Sequence, residues 1–174
     1  MKRICAWCNK SLDPDLEEVG ECPDVSHGVC EACKEAILAE SGTPLVEFLD
    51  SLPAPVLMLD GTGEVVKANR AACSMLGKRQ DEIAGFRGGE VFECAHSRLP
   101  GGCGNTVHCS GCVLRQTVMG TYESGQPCYR RPASLQPMGP GGVPRIHMYV
   151  TTMKVGTLVL LRVHPAEETG RPQP

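Results

Sequence analysis

The chain has few aromatic residues, no long apolar run and no excess of positive charge. Phe, Trp and Tyr make up 4% of its 174 residues, so a folded core must consist mainly of aliphatic side chains. The longest apolar runs, such as residues 157–161, are too short to cross a membrane as a helix. A formal net charge of −3 gives no general attraction for nucleic acid. These absences argue against a membrane-spanning protein and against nucleic acid as a partner.

Familiar catalytic motifs are also missing from the sequence. It contains no glycine-rich phosphate loop, no HExxH pair and no GxSxG turn. The neighbouring acids Asp81 and Glu82 do not face each other on a helix, and we expect them to be solvated surface residues. We therefore predict that the protein is not an enzyme.

The start of the chain bears on its compartment. Residues 1–10 are charged but lack the apolar stretch of a secretory signal peptide. We therefore expect a cytoplasmic protein, in which thiols stay reduced and paired CxxC motifs bind metals rather than form disulfides. The length suits one ordinary domain and a small additional module.

Four of the eleven cysteines form a first set with the pattern CxxC, twenty-one residues, CxxC. Its members are Cys5, Cys8, Cys30 and Cys33. Four thiolates that converge on one point are common ligands of a tetrahedral Zn²⁺ ion. We predict a zinc-ribbon-like module over residues 1–42, which ends in a short helix and whose metal replaces a hydrophobic core. His27 is a possible alternate ligand.

A second set has the pattern C, eight residues, C, five residues, CxxC. Its members are Cys94, Cys103, Cys109 and Cys112. The pattern predicts a second four-cysteine metal site, and both Zn²⁺ and an Fe–S cluster remain open because spacing alone does not separate them. His96 and His108 are possible alternate ligands. A redox disulfide within the CxxC pair is a further alternative, although the thioredoxin-like sequence context is missing.

The order of predicted elements indicates an α+β fold. Apolar runs bounded by turn residues predict five strands, at 55–60, 64–69, 127–135, 145–155 and 157–164. A longer helix over 109–125 would place Cys109 and Cys112 in its first turn, where the helix dipole favours thiolates. We expect one five-stranded antiparallel sheet with helices on one face.

These elements resemble the PAS domain family. The likeness is carried by FLDSLPAPVLMLDGTGEVVKANRAACSMLGKRQDEIAG, with Asp60 closing the first strand and Gly63 in the hairpin. It covers residues 43–164 and implies a sensor or interaction module that encloses a pocket for a ligand or cofactor. Residues 86–112 depart from the family pattern as a cysteine-rich insertion that carries the second set. We expect the tail, 165–174, to be disordered.

The resemblance implies a non-enzymatic signal-transduction protein that relays ligand or redox state to a partner. We expect a signalling protein in trans as that partner, because no output domain follows in this sequence, and we expect a homodimer. The alternative is a zinc-ribbon adaptor that binds nucleic acid or the transcription machinery, with the PAS-like part as a dimerisation scaffold. A redox electron carrier would need a cluster at the second set.

Overall fold

The structure is a computed structural model of the 174-residue chain. It describes residues 2–8, 10–12, 25–30, 32–33, 42–139 and 143–165. The helix predicted after Cys33 and the tail beyond Pro165 lie outside the described residues. No helix in the described part of the chain is both long and apolar enough to cross a membrane.

The chain divides into two compact units, Met1–Pro53 and Ala54–Pro174. The domain boundary between residues 42 and 43 stays a prediction.

Two short strands pair in the first unit. Strand β1 (Lys2–Cys5) lies parallel to β2 (Val25–Gly28), with Cys5 opposite Gly28. The backbone N–H of Cys5 donates to the carbonyl of Lys10 at 2.8 Å, and that of Ala6 donates to the carbonyl of Gly28 at 2.9 Å. These bonds fix the turn that carries the first CxxC pair. Helix α1 (Gly42–Ser51) follows later in this unit.

The described part of the second unit contains one five-stranded sheet and three α-helices. Its elements are β3 (Val56–Leu59), β4 (Val65–Ala68), α2 (Arg70–Leu76), α3 (Gly88–Val91), α4 (Val113–Ser124), β5 (Cys128–Leu135), β6 (Ile146–Val155) and β7 (Leu158–Pro165). The strand order is β4-β3-β7-β6-β5, and every neighbouring pair is antiparallel. The predicted five-stranded antiparallel sheet is confirmed.

The described residues form a hydrophobic core between this sheet and its helices. Alternate residues of the strands belong to it, as the period of a strand requires. On the central strands the residues between them, Val56, Met58 and Leu160, are buried as well. Helix α2 contributes Ala72, α3 contributes Val91 and α4 contributes Val118. Most of the core is aliphatic, as the shortage of aromatic residues predicts. The fully buried strand residues include Leu57, Val65, Val150 and Val159.

Helix α4 is fixed to the sheet by polar contacts as well as by packing. The hydroxyls of Thr121 and Thr152 are buried and lie 2.7 Å apart, which joins α4 to β6. The ammonium of Lys154 on β6 donates to the carbonyl of Tyr122 and lies over its ring, 4.5 Å from the centroid. Because these bonds are directional, α4 has a defined position over the core.

The hairpin between β3 and β4 depends on one carboxylate. Oδ1 of Asp60 accepts hydrogen bonds from the N–H and the hydroxyl of Thr62, at 2.9 and 2.8 Å, and from the N–H of Glu64 at 3.1 Å. Gly63 has φ +83°, a left-handed conformation that favours glycine. The Asp-Gly-Thr-Gly sequence therefore forms the turn that its composition predicts.

This carboxylate should make the hairpin sensitive to acid. Burial raises the pKa of Asp60, but the Thr62 hydroxyl and three backbone N–H groups outweigh that effect and lower the pKa below its ordinary value. A lowered folded-state pKa gives stability above the unfolded-state pKa of about 3.9, and this stability is lost as pH falls through the folded-state value. The variant Asp60→Asn keeps the accepting oxygen without the charge. Urea unfolding should show wild type to be the more stable near pH 7, with the difference shrinking as the pH falls below the unfolded-state pKa of about 3.9. A difference that stays constant with pH would contradict this prediction.

Candidate metal centres

The four thiols of the first set converge in the first unit. Their Sγ atoms all lie within 4.8 Å of one another, and those of Cys8 and Cys30 are 3.6 Å apart. A tetrahedral Zn²⁺ with Zn–S bonds of about 2.3 Å holds its sulfurs about 3.8 Å apart. The structure therefore brings together the four residues that the CxxC spacing predicts, in an arrangement that fits one tetrahedral ion.

Backbone N–H groups point at these sulfurs. The N–H of Cys30 donates to Sγ of Cys5, and the N–H of Cys33 donates to Sγ of Cys30, each at 3.4 Å. Cys5 and Cys33 are buried, whereas Cys8 is exposed. Strand β1 ends at Cys5 and strand β2 ends at Gly28, so the pairing of these strands sets the distance between the two CxxC turns.

The thiols of this set have shifted pKa values. Burial raises the pKa of Cys5, but N–H groups of Cys30, Cys8 and Trp7 lower it to about 7. Burial raises the pKa of Cys33, and its thiol neighbours raise it further. Four thiolates cannot share so small a volume without a compensating cation. A bound divalent ion would supply that charge and release the thiol protons.

Two further residues of this segment are relevant. Trp7 lies inside the first CxxC turn, and its side chain is 1% exposed. The backbone of His27 pairs with Ile4 in the β1–β2 ladder. The position of the His27 side chain lies outside what the structure describes, so its role as an alternate ligand stays a prediction.

The second set is distributed over three segments of the second unit. Cys94 precedes a 3₁₀ turn, Ala95–Arg98, and Cys103 lies in the glycine-rich loop that follows. Cys109 lies in a second 3₁₀ turn, Val107–Gly111, and Cys112 is the residue just before α4.

The predicted placement of Cys109 and Cys112 in the first turn of the long helix is wrong. Helix α4 begins at Val113, and Cys112 has an extended backbone with φ −74° and ψ 111°. The N–H of Cys109 donates to Thr106 and the N–H of Cys112 donates to Cys109, which closes 3₁₀ turns instead of an α-helix. A regular helix hydrogen bond first appears from Gln116 to the carbonyl of Cys112, at 2.9 Å.

Two glycines provide N–H groups to sulfurs of the second set. The N–H of Gly89 donates to Sγ of Cys103 at 3.3 Å, and the N–H of Gly104 donates to Sγ of Cys109 at 3.1 Å. The hydroxyl of Thr106 also lies 3.2 Å from Sγ of Cys109. A Cβ atom on Gly89 would lie 2.7 Å from Sγ of Cys103, so the close approach of α3 to this thiol requires glycine.

Two arginines pack against the loop that carries Cys103. Nη1 of Arg87 donates to the carbonyl of Cys103 at 2.7 Å. A Cβ atom on Gly104 would lie 2.7 Å from Nη1 of Arg115 and 3.1 Å from Nη1 of Arg87. The loop therefore lies in a positive environment, which sequence analysis did not predict because Arg87 and Arg115 belong to different elements and carry no motif.

The surroundings shift the pKa values of two of these thiols in opposite directions. Burial raises the pKa of Cys103, and this effect outweighs the hydrogen bond from the N–H of Gly89, which lowers it. Burial also raises the pKa of Cys109, but the Thr106 hydroxyl and backbone N–H groups outweigh this effect and lower the pKa.

The two histidines of the insertion lie together. The rings of His96 and His108 stack with centroids 4.0 Å apart and an interplanar angle of 20°. Burial lowers the pKa of His96, and the charges of His108 and Arg145 lower it further. Both rings border the same cavity as the second cysteine set. They stay candidates for ligands or for groups that support the ligands.

A cavity of about 300 Å³ lies within the second unit, between the sheet, α4 and the insertion. All four cysteines of the second set line it, together with His96, His108, Arg87 and Arg115. Leu59 and Leu161 line it from the sheet, and Val118 lines it from α4. In the described part of the chain, the first set is the one group of three or more ligating side chains spaced for a single ion. The cysteines of the second set instead share the lining of the larger cavity.

Comparison with known proteins identifies the fold. The family model described as the PAS fold matches residues 44–86. No curated protein sequence matches the chain. A PAS domain of BvgS from Bordetella pertussis is 16% identical, with a TM-score of 0.48, and the match covers 72% of this chain and 85% of that chain. A domain of a sensory box sensor histidine kinase/response regulator from Geobacter sulfurreducens is 13% identical, with a TM-score of 0.48, and the match covers 70% of this chain and 91% of that chain.

The family match covers the first half of the fold, including the hairpin at Asp60 and the helix that follows Asn69. The remaining strands complete a five-stranded antiparallel sheet with helices packed on it, as the family resemblance predicts. The chain therefore has a PAS-like fold, and a cluster of four cysteines suited to a metal ion lies nearer its N-terminus.

Proposed function

We propose that this chain is a non-enzymatic, cytoplasmic sensory protein whose PAS domain relays the state of its cavity to a partner protein. The observation that carries the proposal is the cavity of about 300 Å³, which α4 and the sheet enclose together with the cysteine-rich insertion. Such a cavity, with apolar walls and a few convergent polar groups, is typical of a ligand or cofactor site. A change in its occupant would act directly on α4.

The contacts of α4 supply a route by which that change would leave the cavity. Cys112, Val113 and Val118 line the cavity at the beginning of the helix and along one face. Thr121 and Tyr122, one turn further on, are hydrogen-bonded to β6 through Thr152 and Lys154. A shift of α4 would therefore alter β6, and a partner bound to the sheet would read the change.

The first cysteine set has a structural role in this proposal. It holds a Zn²⁺ ion, because its sulfurs have the spacing of one tetrahedral ion and the strands β1 and β2 are only four residues long.

The partner in this proposal is a signalling protein in trans, and the PAS domain forms a homodimer. The net charge of −3 supports a protein partner over nucleic acid, and thiolates bound to zinc would make the chain more negative.

Coupling between the cavity and the sheet is the testable core of this proposal. The variant Cys112→Ala removes one cavity-lining thiol at the beginning of α4. We expect amide hydrogen exchange in β6 and β7 to become several-fold faster, because a loosened α4 no longer holds the sheet. Hydrogen–deuterium exchange of the full chain, read by mass spectrometry, measures this effect.

The matched control is Cys73→Ala, which removes a partly buried thiol of α2 outside the cavity lining. Exchange in β6 and β7 should stay unchanged in this variant. An effect of Cys112→Ala confined to its own loop would refute the proposed route through α4.

Analytical ultracentrifugation should find two copies of the chain per particle, and a monomer at all concentrations would refute the homodimer. Salt-sensitive binding to DNA would support the adaptor hypothesis instead.

A further inference from the structure

We propose that the second cysteine set holds an iron–sulfur cluster in the cavity of the PAS domain, with Cys94, Cys103, Cys109 and Cys112 as its ligands. This inference rests on the proposed function in one respect, since it names the occupant of the cavity that we assign to sensing. It distinguishes two metal sites whose cysteine patterns look equivalent in the sequence.

The spacing of the thiols is the first argument for a cluster. A single Zn²⁺ needs its four sulfurs about 3.8 Å apart, which the first set provides and the second set does not. An iron–sulfur cluster holds its cysteines further apart, because several iron and sulfide atoms lie between them. All four cysteines of the second set line one cavity of about 300 Å³, which has more space than one ion occupies. The arrangement therefore suits a polynuclear group.

Hydrogen bonds to the sulfurs are the second argument. The N–H groups of Gly89 and Gly104 donate to the thiols of Cys103 and Cys109, and the Thr106 hydroxyl adds a third contact. Such donors stabilise cluster-bound thiolates and tune the reduction potential of a cluster. Since a Cβ at Gly89 would meet Cys103 at 2.7 Å, this donor depends on a residue without a side chain.

Charge and enclosure are the third argument. Four thiolates bring a net negative charge to a cluster, and the guanidinium groups of Arg87 and Arg115 lie against the loop that carries Cys103. The lining of the cavity also includes the apolar side chains of Leu59, Val118 and Leu161. The positive groups would offset the charge of a cluster, and the aliphatic side chains would limit its contact with water.

Metal analysis of the full chain, purified without oxygen, tests this inference. We expect one zinc per chain from the first set, together with about two iron atoms for a [2Fe–2S] cluster or about four for [4Fe–4S], with equal acid-labile sulfide. We also expect a broad visible absorption and an electron paramagnetic resonance signal after reduction with dithionite. Two zinc ions with no iron or sulfide would overturn the inference, and so would iron without sulfide.

Single substitutions assign the ligands. Cys94→Ser and Cys112→Ser should each lose most of the iron and sulfide while the zinc content stays at one per chain. Cys128→Ser, which changes a cysteine outside both sets, should keep the wild-type iron content. His96→Ala should also retain the cluster. Loss of iron and sulfide in this variant would indicate that His96 is a ligand and would overturn the four-cysteine assignment.

The design remains decisive when a variant fails to fold, because the wild-type iron, sulfide and zinc contents decide the inference by themselves. Its failure is also separable from that of the proposed function. Metal content is measured on the isolated chain, whereas the relay is measured by exchange in β6 and β7. If the chain holds a cluster but Cys112→Ala leaves exchange in β6 and β7 unchanged, the cluster is supported and the sensory route through α4 is refuted. If the chain holds a second zinc and exchange in β6 and β7 becomes faster, the sensory route is supported and the cluster is refuted.

Discussion

Removing the metal from the first cysteine set is expected to unfold its segment and shift the fluorescence emission of Trp7 to longer wavelength. Trp7 is the one tryptophan of the sequence and is 1% exposed within the first CxxC turn, so its emission reports this segment alone. The paired strands β1 and β2 have four residues each and cannot hold the four cysteines together without an ion. Structural zinc contributes about 10–16 kcal/mol in small modules, so we expect a complete transition.

A titration with a strong zinc chelator, followed by fluorescence, measures this transition. Cys33→Ala should show the shifted emission before any chelator is added, because it removes a buried ligand. Cys128→Ala, outside both sets, should behave as wild type. Added Zn²⁺ should restore the original emission of the chelated wild type. Unchanged emission in a sample shown to be free of metal would contradict a metal-dependent fold for this segment.

The substitution Asn69→Ala is expected to destabilise the PAS domain by about 3 kcal/mol or more, since several buried polar groups lose a partner. Asn69 is 3% exposed, and its Oδ1 accepts from the N–H groups of Val56 and Ala72, each at 2.9 Å. Its Nδ2 donates to the carbonyl of Ala54 at 3.0 Å. One side chain thus joins the beginning of β3 to the beginning of α2, for which it is the N-cap.

Urea unfolding followed by circular dichroism measures this loss. The matched control is Ser74→Ala, an exposed position on the same helix, which should change the free energy of unfolding by less than about 0.5 kcal/mol. Asn69→Asp keeps both accepting contacts but loses the donor to Ala54, so its destabilisation should lie between the two. A cost below about 1 kcal/mol for Asn69→Ala would contradict the bridging role.

Most of the sheet could be predicted from local sequence because its signals are local. Asp60 and Gly63 form the hairpin between β3 and β4, and Gly156, with φ +57°, turns β6 into β7. The apolar runs between these turns are short and rich in Val, Leu and Ile, which favours strands. The family resemblance then supplied the order in which such strands assemble.

Other features could not be predicted because they depend on contacts between distant residues. The parallel pairing of β1 with β2 joins segments about twenty residues apart, and neither strand has enough residues to show a period. The 3₁₀ turn at Val107–Gly111 depends on backbone bonds that displace the start of α4 by one turn. The positions of Arg87 and Arg115 beside Cys103 follow from packing, which no motif records.

The sequence by itself determined that this chain has two four-cysteine sets and a PAS-like sheet, because CxxC spacing and strand periodicity are local properties. The tertiary structure decided how the sets differ. Pairing of β1 with β2 brings two CxxC turns to the distance of one tetrahedral ion. In the PAS domain, the packing of the insertion against α4 and the sheet instead arranges the second set around a cavity. Distances between turns are set by the elements that carry them, and residue spacing does not encode those distances.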